Sequence, residues 1–238
     1  MATKKNYYPP KNESEDPITR SIEKSSGKAA RILNRLPFSG DPCYNDRKEP
    51  TMRETEITVQ IYNELAEIDE ILRAQDFEMI GRYQMRDHYF TRITDAAKTD
   101  YVTLMKYSFL LRETEGKVKL CYKNKETDEY GNVISEEKTE CVVSDPEKAI
   151  AIFRAAGLND YCVVENESYI YKKGEVSFAI QVIKDLGTFL ECEENEGMRD
   201  LTVHEKLARL TETVRGLGLH LGEDYSCKKV YMLLKKKA

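Results

Sequence analysis

From Glu54 onward the chain alternates polar and apolar residues with a period of two, and it does so in segment after segment. That pattern puts alternate side chains on opposite faces of a β-strand. In Glu54-Thr-Glu56-Ile-Thr58-Val-Gln60-Ile the apolar set is Ile57, Val59 and Ile61, so Glu54, Glu56 and Thr58 face the other way together. In Lys117–Lys125, Val118, Leu120 and Tyr122 form one face, and Lys117, Lys119, Cys121, Lys123 and Lys125 the other. Glu136, Lys138 and Glu140 share a face, as do Glu191 and Glu193, and Leu110, Arg112 and Thr114. One charged strand face is ordinarily solvated. Its recurrence on most strands is met at once by a closed sheet with charge inside and helices outside. Buried charge is costly unless paired, so such an interior calls for a charged ligand, a metal or water.

The remaining patterning predicts an α+β fold. Strands are expected at 54–61, 77–91, 107–114, 117–127, 132–143, 160–172, 175–183 and 187–195, about eight in all and mostly joined by tight turns. Helices are expected after Asn63, read as an N-cap, from Asp145-Pro146 to Ala156, from Thr202 to Leu217, and from Tyr225. Residues 92–106 are ambiguous. The expected architecture is an eight-stranded antiparallel β-barrel with helices packed outside.

Residues 1–51 carry no such pattern. They are rich in Lys, Ser, Asn and Pro and read as a disordered tail, with residues 52–238 as the folded domain and Met52 as a possible alternative start. Residues 1–50 hold 10 Lys or Arg against 7 Asp or Glu, a net of +3 against −8 for the rest, together the −5 of the chain. A pI near 5.5 argues against a nucleic-acid partner. A mean hydropathy of −0.62 and the lack of a long apolar run argue against a membrane span, and the N-terminus shows no secretory signal. The six Cys form no CxxC pair, so reduced thiols in a cytoplasmic protein are expected rather than zinc or a disulfide framework.

Several motifs, in order, resemble those of the CYTH, or triphosphate tunnel, family. Glu54-Thr-Glu56-Ile-Thr58 is similar to its ExExK opening, Asp87-His-Tyr89-Phe90 to D-x-Y-F, and Leu111-Arg112 to the start of L-R-x-R. Leu120-Cys-Tyr-Lys123 resembles L-x-Y-K, and Lys138-Thr-Glu140 resembles R-x-E. Leu186-Gly187-Thr-Phe189-Leu-Glu191-Cys-Glu193 is close to L-G-x-F-x-E-x-E, and the Asp224-to-Leu234 segment looks like the family's ending. The resemblance spans about residues 53–235. It implies a barrel whose tunnel binds a triphosphate, as in class IV adenylate cyclases and thiamine or inorganic triphosphatases.

Carried over by position, Glu54, Glu56, Glu191 and Glu193 would hold Mg²⁺ or Mn²⁺, with Glu54 and Glu56 as the catalytic carboxylates. Arg112, Lys123, Lys125 and Lys138 would contact the triphosphate, with Glu140 binding or orienting a ligand or serving as the partner of a metal-bound water. Hard divalent cations take oxygen ligands, and Arg or Lys complements phosphate. Lys125 and Lys138 read equally well as cross-strand partners of Glu. His88, His204 and His220 read as incidental, Lys117 and Lys119 as solvated, and Tyr89 and Phe90 as packing residues. The sequence departs from the pattern at Thr58 and Thr114, where Lys and Arg are expected, at Gln181, where Asp is frequent, and at Val164–Ser168, which replaces a basic run. The carboxylates are therefore retained and the cations depleted. The expected function is a metal-dependent enzyme acting on a triphosphate-bearing small molecule by cyclase or triphosphatase chemistry. The alternative is a non-catalytic module that binds a phosphorylated metabolite or nucleotide. A homodimer is expected only by analogy with relatives.

Overall fold

The computed structural model describes residues 53–237, so the expectations for residues 1–51 and for Met52 lie outside the described residues. The chain forms one antiparallel sheet from β1 (Arg53–Glu54), β2 (Glu56–Ile61), β3 (Glu78–Thr91), β4 (Tyr107–Thr114), β5 (Lys117–Thr127), β6 (Val133–Val143), β7 (Asn159–Lys173), β8 (Val176–Ile183) and β9 (Gly187–Glu193). The strand order is β1-β6-β5-β4-β3-β7-β8-β9-β2. Only Thr55 separates β1 from β2, so one extended run pairs with β6 through its first half and with β9 through its second. The two edges of the sheet are thus the same stretch of chain. This closes the expected eight-stranded barrel and leaves few open edge groups.

The turns follow local chemistry. Glu115 and Gly116, both at positive φ, join β4 to β5 in the two-residue loop that matches the twist of paired strands. The Asp128–Gly131 turn is held by the Asp128 carboxylate, which accepts from the backbone N–H groups of Tyr130 and Asn132 at 2.9 and 2.8 Å.

The helices are α1 (Leu65–Arg73), α2 (Tyr101–Met105), α3 (Pro146–Ala155), α4 (Val203–Arg215) and α5 (Lys229–Lys237). The ambiguous segment 92–106 holds α2 and a short 3₁₀ turn at Ala96–Lys98. Asp145 caps α3, and Pro146 sits in its first turn. Thr202 and Glu205 form a reciprocal capping box on α4. The expected role of Asn63 is not seen: Glu64 is the N-cap of α1, and the Asn63 carboxamide oxygen instead accepts from His220 N–H at 2.6 Å.

Three apolar clusters hold the barrel. On its outside, Ile68 and Leu72 of α1 and Leu210 and Val214 of α4 pack on Ile57, Val59, Ile180 and Leu190. Phe153 of α3 packs on Phe90 and Leu111, also outside. The third cluster corrects the expectation that all helices lie outside. Leu104 and Met105 of α2 and Val230 and Leu233 of α5 meet Tyr89, Leu110, Cys121 and Phe189, which alternate with the charged residues on the inner face. Two helices therefore plug one end of the barrel. The physical reason lies in those strands, whose inner faces turn from charged to apolar toward that end.

The C-terminal helix also starts later than expected. Residues 225–227 run extended beside β2: Thr58 N–H donates to Tyr225 O at 3.0 Å, and Cys227 N–H donates to Thr58 O at 2.9 Å. They cover the edge of β2 that β6 leaves open and deliver α5 to the barrel end.

Candidate functional site: a charged tunnel

Inside the barrel lies a tunnel lined by Glu54, Glu56, Arg112, Lys123, Lys125, Lys138, Glu191 and Glu193. These are eight of the nine residues singled out from the sequence. The strand registers explain how segments so distant in the chain meet. Glu56 lies opposite Glu193 and Thr58 opposite Glu191 on β2 and β9, while Lys123 lies opposite Lys138 on β5 and β6. Glu140, the ninth, shares their strand face but lies beyond the lining. It accepts from Lys119 Nζ at 2.9 Å and from Cys121 Sγ at 3.2 Å, with Lys138 Nζ 3.2 Å away. Lys119 is exposed, as expected, and pairs with Glu140 at the surface. His88 lies on the outer face against Asp160.

Carboxylate oxygens of Glu56, Glu191 and Glu193 lie within 4.8 Å of one another. Burial, and then the charge of Glu191, pushes Glu56 up to about 7. Burial with Glu191 and Glu54 nearby also raises Glu193. Glu191 goes the other way. Burial opposes its charge, but the Lys229 ammonium beside it holds the carboxyl down at about 2. Lys229 also donates to Gln181 Oε1 at 2.7 Å. An all-oxygen group of this span is what a hard divalent cation takes, and a cation would relieve the repulsion that raises Glu56. The donor set therefore fits Mg²⁺ or Mn²⁺.

Opposite these carboxylates sit the cations, each held by an acid. Arg112 is gripped by Asp87 through two hydrogen bonds of 2.8 and 2.7 Å. Burial works against the Arg112 charge, yet Asp87 raises its pKa. Lys123 donates to Glu136 Oε1 at 2.5 Å, and Lys125 stands 3.9 Å from Glu136 Oε2. That second oxygen is buried and accepts no hydrogen bond. Burial, then the Lys123 charge, lowers Lys125. Lys125 is therefore both a cross-strand partner of Glu136 and a tunnel residue, whereas Lys138 pairs with Glu140 on its own strand and faces Lys123 across the ladder, so the cross-strand reading holds for Lys125 alone.

Among the tunnel residues not assigned from the sequence are Asp87, Glu136, Gln181 and Lys229. Asp87 was visible only inside a motif, and Glu136 only through its shared face with Lys138. Gln181 was noted as a departure. Lys229 had no alternation signal, since it sits on a helix that reaches the tunnel from the barrel end.

Comparison with known proteins follows from this geometry. Residues 52–219 match the model of the CYTH domain. The chain belongs to the CYTH domain family. It is 27% identical over 186 residues to MJ0240 of Methanocaldococcus jannaschii, a protein provisionally named an adenylate cyclase, with 77% of this chain and 99% of that protein covered. Among solved structures, PH1012 of Pyrococcus horikoshii OT3 shares the fold at a TM-score of 0.58 and 22% identity, covering 76% of this chain and 98% of that one. HpAC1 of Hippeastrum, provisionally named an adenylyl cyclase and described as having a dominant triphosphatase activity, aligns at a TM-score of 0.52 and 15% identity, covering 77% and 96%. In this CYTH domain Glu56 of the first Glu-x-Glu lies beside Glu193 of the second, some 130 residues on in the chain, across the β2–β9 pairing, while Glu54 lies on β1 beside β6. Among the described residues no helix is long and apolar enough to cross a membrane, and Cys121, Cys141, Cys162, Cys192 and Cys227 are free thiols.

Proposed function

We propose that the tunnel binds a triphosphate chain together with Mg²⁺ or Mn²⁺, and that the protein is an enzyme that transforms it. One observation carries this reading: three convergent carboxylates face Arg112, Lys123, Lys125 and Lys138 across a single tunnel. CYTH membership and the name of the M. jannaschii relative support it.

Glu56, Glu191 and Glu193 would hold the ion, with Glu54 at the rim adding negative charge. When bound, the ion would shield phosphate oxygens and make attack at phosphorus less repulsive. Arg112 presents a planar fork to phosphate, fixed in orientation by Asp87. Lys123 and Lys125 are held by Glu136 so that both ammonium groups face the chain. Lys138 does the same from β6 with Glu140 behind it. Holding donors in place before the ligand arrives is how such a site stabilises developing charge. In a triphosphatase water attacks the terminal phosphorus, the bond to its bridging oxygen breaks, the diphosphate remainder is the leaving group, and the attacked phosphorus becomes orthophosphate. In a cyclase the ribose 3′-hydroxyl attacks the α-phosphorus and pyrophosphate leaves.

The alternative reading, a non-catalytic binding module, is favoured by the same ion pairs, since Arg112, Lys123, Lys125, Lys138 and Lys229 each already have an acidic partner. Incubation with ATP, tripolyphosphate and thiamine triphosphate plus Mg²⁺ or Mn²⁺, followed by ³¹P NMR, separates the readings. Metal-dependent orthophosphate or pyrophosphate release supports the enzyme. Tight binding by calorimetry without turnover supports the module.

A further inference from the structure

Lys229 differs from the tunnel cations that stand on the strands. Arg112, Lys123, Lys125 and Lys138 stand on barrel strands, and their acid partners Asp87, Glu136 and Glu140 are not among the converging carboxylates. Lys229 stands on the plug helix α5, and its ammonium contacts Glu191, one of the three carboxylates that converge. Among the described residues, Glu56 and Glu193 have no ion-pair partner within 4.0 Å.

Its position is built by the backbone. Thr58 points into the tunnel opposite Glu191. Both main-chain hydrogen-bonding groups of Thr58 are taken by the segment that leads to Lys229, through Tyr225 O and Cys227 N–H. Lys229, two residues beyond Cys227, lines the same tunnel as Thr58 and reaches Gln181 and Glu191 on the neighbouring strands β8 and β9. Lys235 Nζ donates to Ala97 O at 2.5 Å and Lys236 Nζ to Asp185 O at 2.6 Å, so the far end of α5 is tied down separately.

One carboxylate oxygen cannot serve an ammonium group and a divalent cation at full strength. The two positive charges would also repel across a few ångströms in a half-buried site. We infer that Lys229 is an exchangeable cation: a divalent ion at Glu56, Glu191 and Glu193 displaces it from Glu191, and the freed ammonium becomes a phosphate contact beside position 58. Metal binding, phosphate binding and the docking of the plug helix are then linked, and each must change the others. This inference rests on the metal and triphosphate reading above and names a residue and a coupling within it.

The test uses full-length protein and three variants, Lys229→Met, Thr58→Lys and the double variant, with thermal unfolding as a check on folding. Calorimetry measures Mn²⁺ alone, then tripolyphosphate at saturating Mn²⁺. Lys229→Met is expected to bind Mn²⁺ at least fivefold more tightly and tripolyphosphate at least tenfold more weakly. Moving the charge back in Thr58→Lys/Lys229→Met should recover tripolyphosphate affinity to within about threefold of wild type. On unsubstituted protein, Mg²⁺ without polyphosphate should speed amide hydrogen exchange over Lys229–Leu234, and tripolyphosphate should slow it again. If wild type binds both ligands but Lys229→Met stays within twofold for each, or Mg²⁺ leaves that exchange unchanged or slower, the exchange inference is overturned alone. If wild type binds neither ligand, it falls together with the proposed function.

Discussion

Arg112 and Asp87 face one another across β4 and β3 and are joined by two parallel hydrogen bonds, with the Asp87 carboxylate buried in the tunnel wall. The pair fixes the plane of the guanidinium. Removing one partner of a buried pair leaves the other charge uncompensated, at a cost of about 3–5 kcal/mol. Asp87→Ala should therefore lower the unfolding free energy measured by urea titration by that order and weaken tripolyphosphate binding. A stability loss below about 1 kcal/mol would show that the pair does not brace the wall.

Glu56 makes an opposite prediction. Its folded pKa is raised to about 7 by burial and Glu191, above its ordinary 4.5. A raised carboxyl binds extra protons in the folded state, so its contribution to stability is present below about 4.5 and is lost as pH rises through 7. Glu56→Gln removes that cost. At pH 8 the variant should melt at or above the wild-type temperature while losing Mn²⁺ affinity by more than tenfold. A lower melting temperature with intact Mn²⁺ binding would remove Glu56 from the proposed metal group.

Glu140 gives the reverse pH dependence. Burial acts against its charge, but Lys119, Cys121 and Lys138 hold it down at about 2, below the ordinary 4.5. A depressed carboxyl stabilises the fold above about 4.5, and that contribution fades as pH falls toward 2. The site is partly exposed, so Glu140→Gln should cost only about 1 kcal/mol at pH 7. The gap between the two unfolding midpoints should narrow steadily as the solution is acidified from about pH 5 toward pH 2. A gap that is constant with pH would assign the loss to packing instead.

The capping box of α4 bears on the fold alone. Thr202→Ala leaves the Glu205 N–H without its hydroxyl acceptor and should destabilise by about 1 kcal/mol with no change in ligand affinity. Thermal unfolding and calorimetry check the two parts separately.

The barrel was legible because its strands alternate so regularly that Ile57, Val59 and Ile61 on one side and Glu54, Glu56 and Thr58 on the other admit a single register. The carboxylates were legible for the same reason, and the pairing of Glu56 with Glu193 follows from the closure of β2 on β9. What escaped was whatever depends on contacts across the tunnel. Nothing in the local sequence says that Asp87 will grip Arg112 or that Glu136 will hold two lysines. Lys229 escaped for another reason. The segment after Tyr225 reads as helix, whereas its first residues are drawn into extended conformation by the vacant edge of Thr58, a constraint supplied 170 residues earlier in the chain. Asn63 shows the same effect in small: a good capping residue was recruited by the backbone of His220 instead.

A crystal structure with Mn²⁺ and tripolyphosphate, read by anomalous diffraction at the manganese edge, tests most directly whether Glu56, Glu191 and Glu193 form a divalent-metal group within a triphosphate tunnel. A manganese peak is expected between those three carboxylates, with phosphate density against Arg112, Lys123 and Lys138. No manganese at the carboxylates, or polyphosphate bound only outside the barrel, would contradict this assignment.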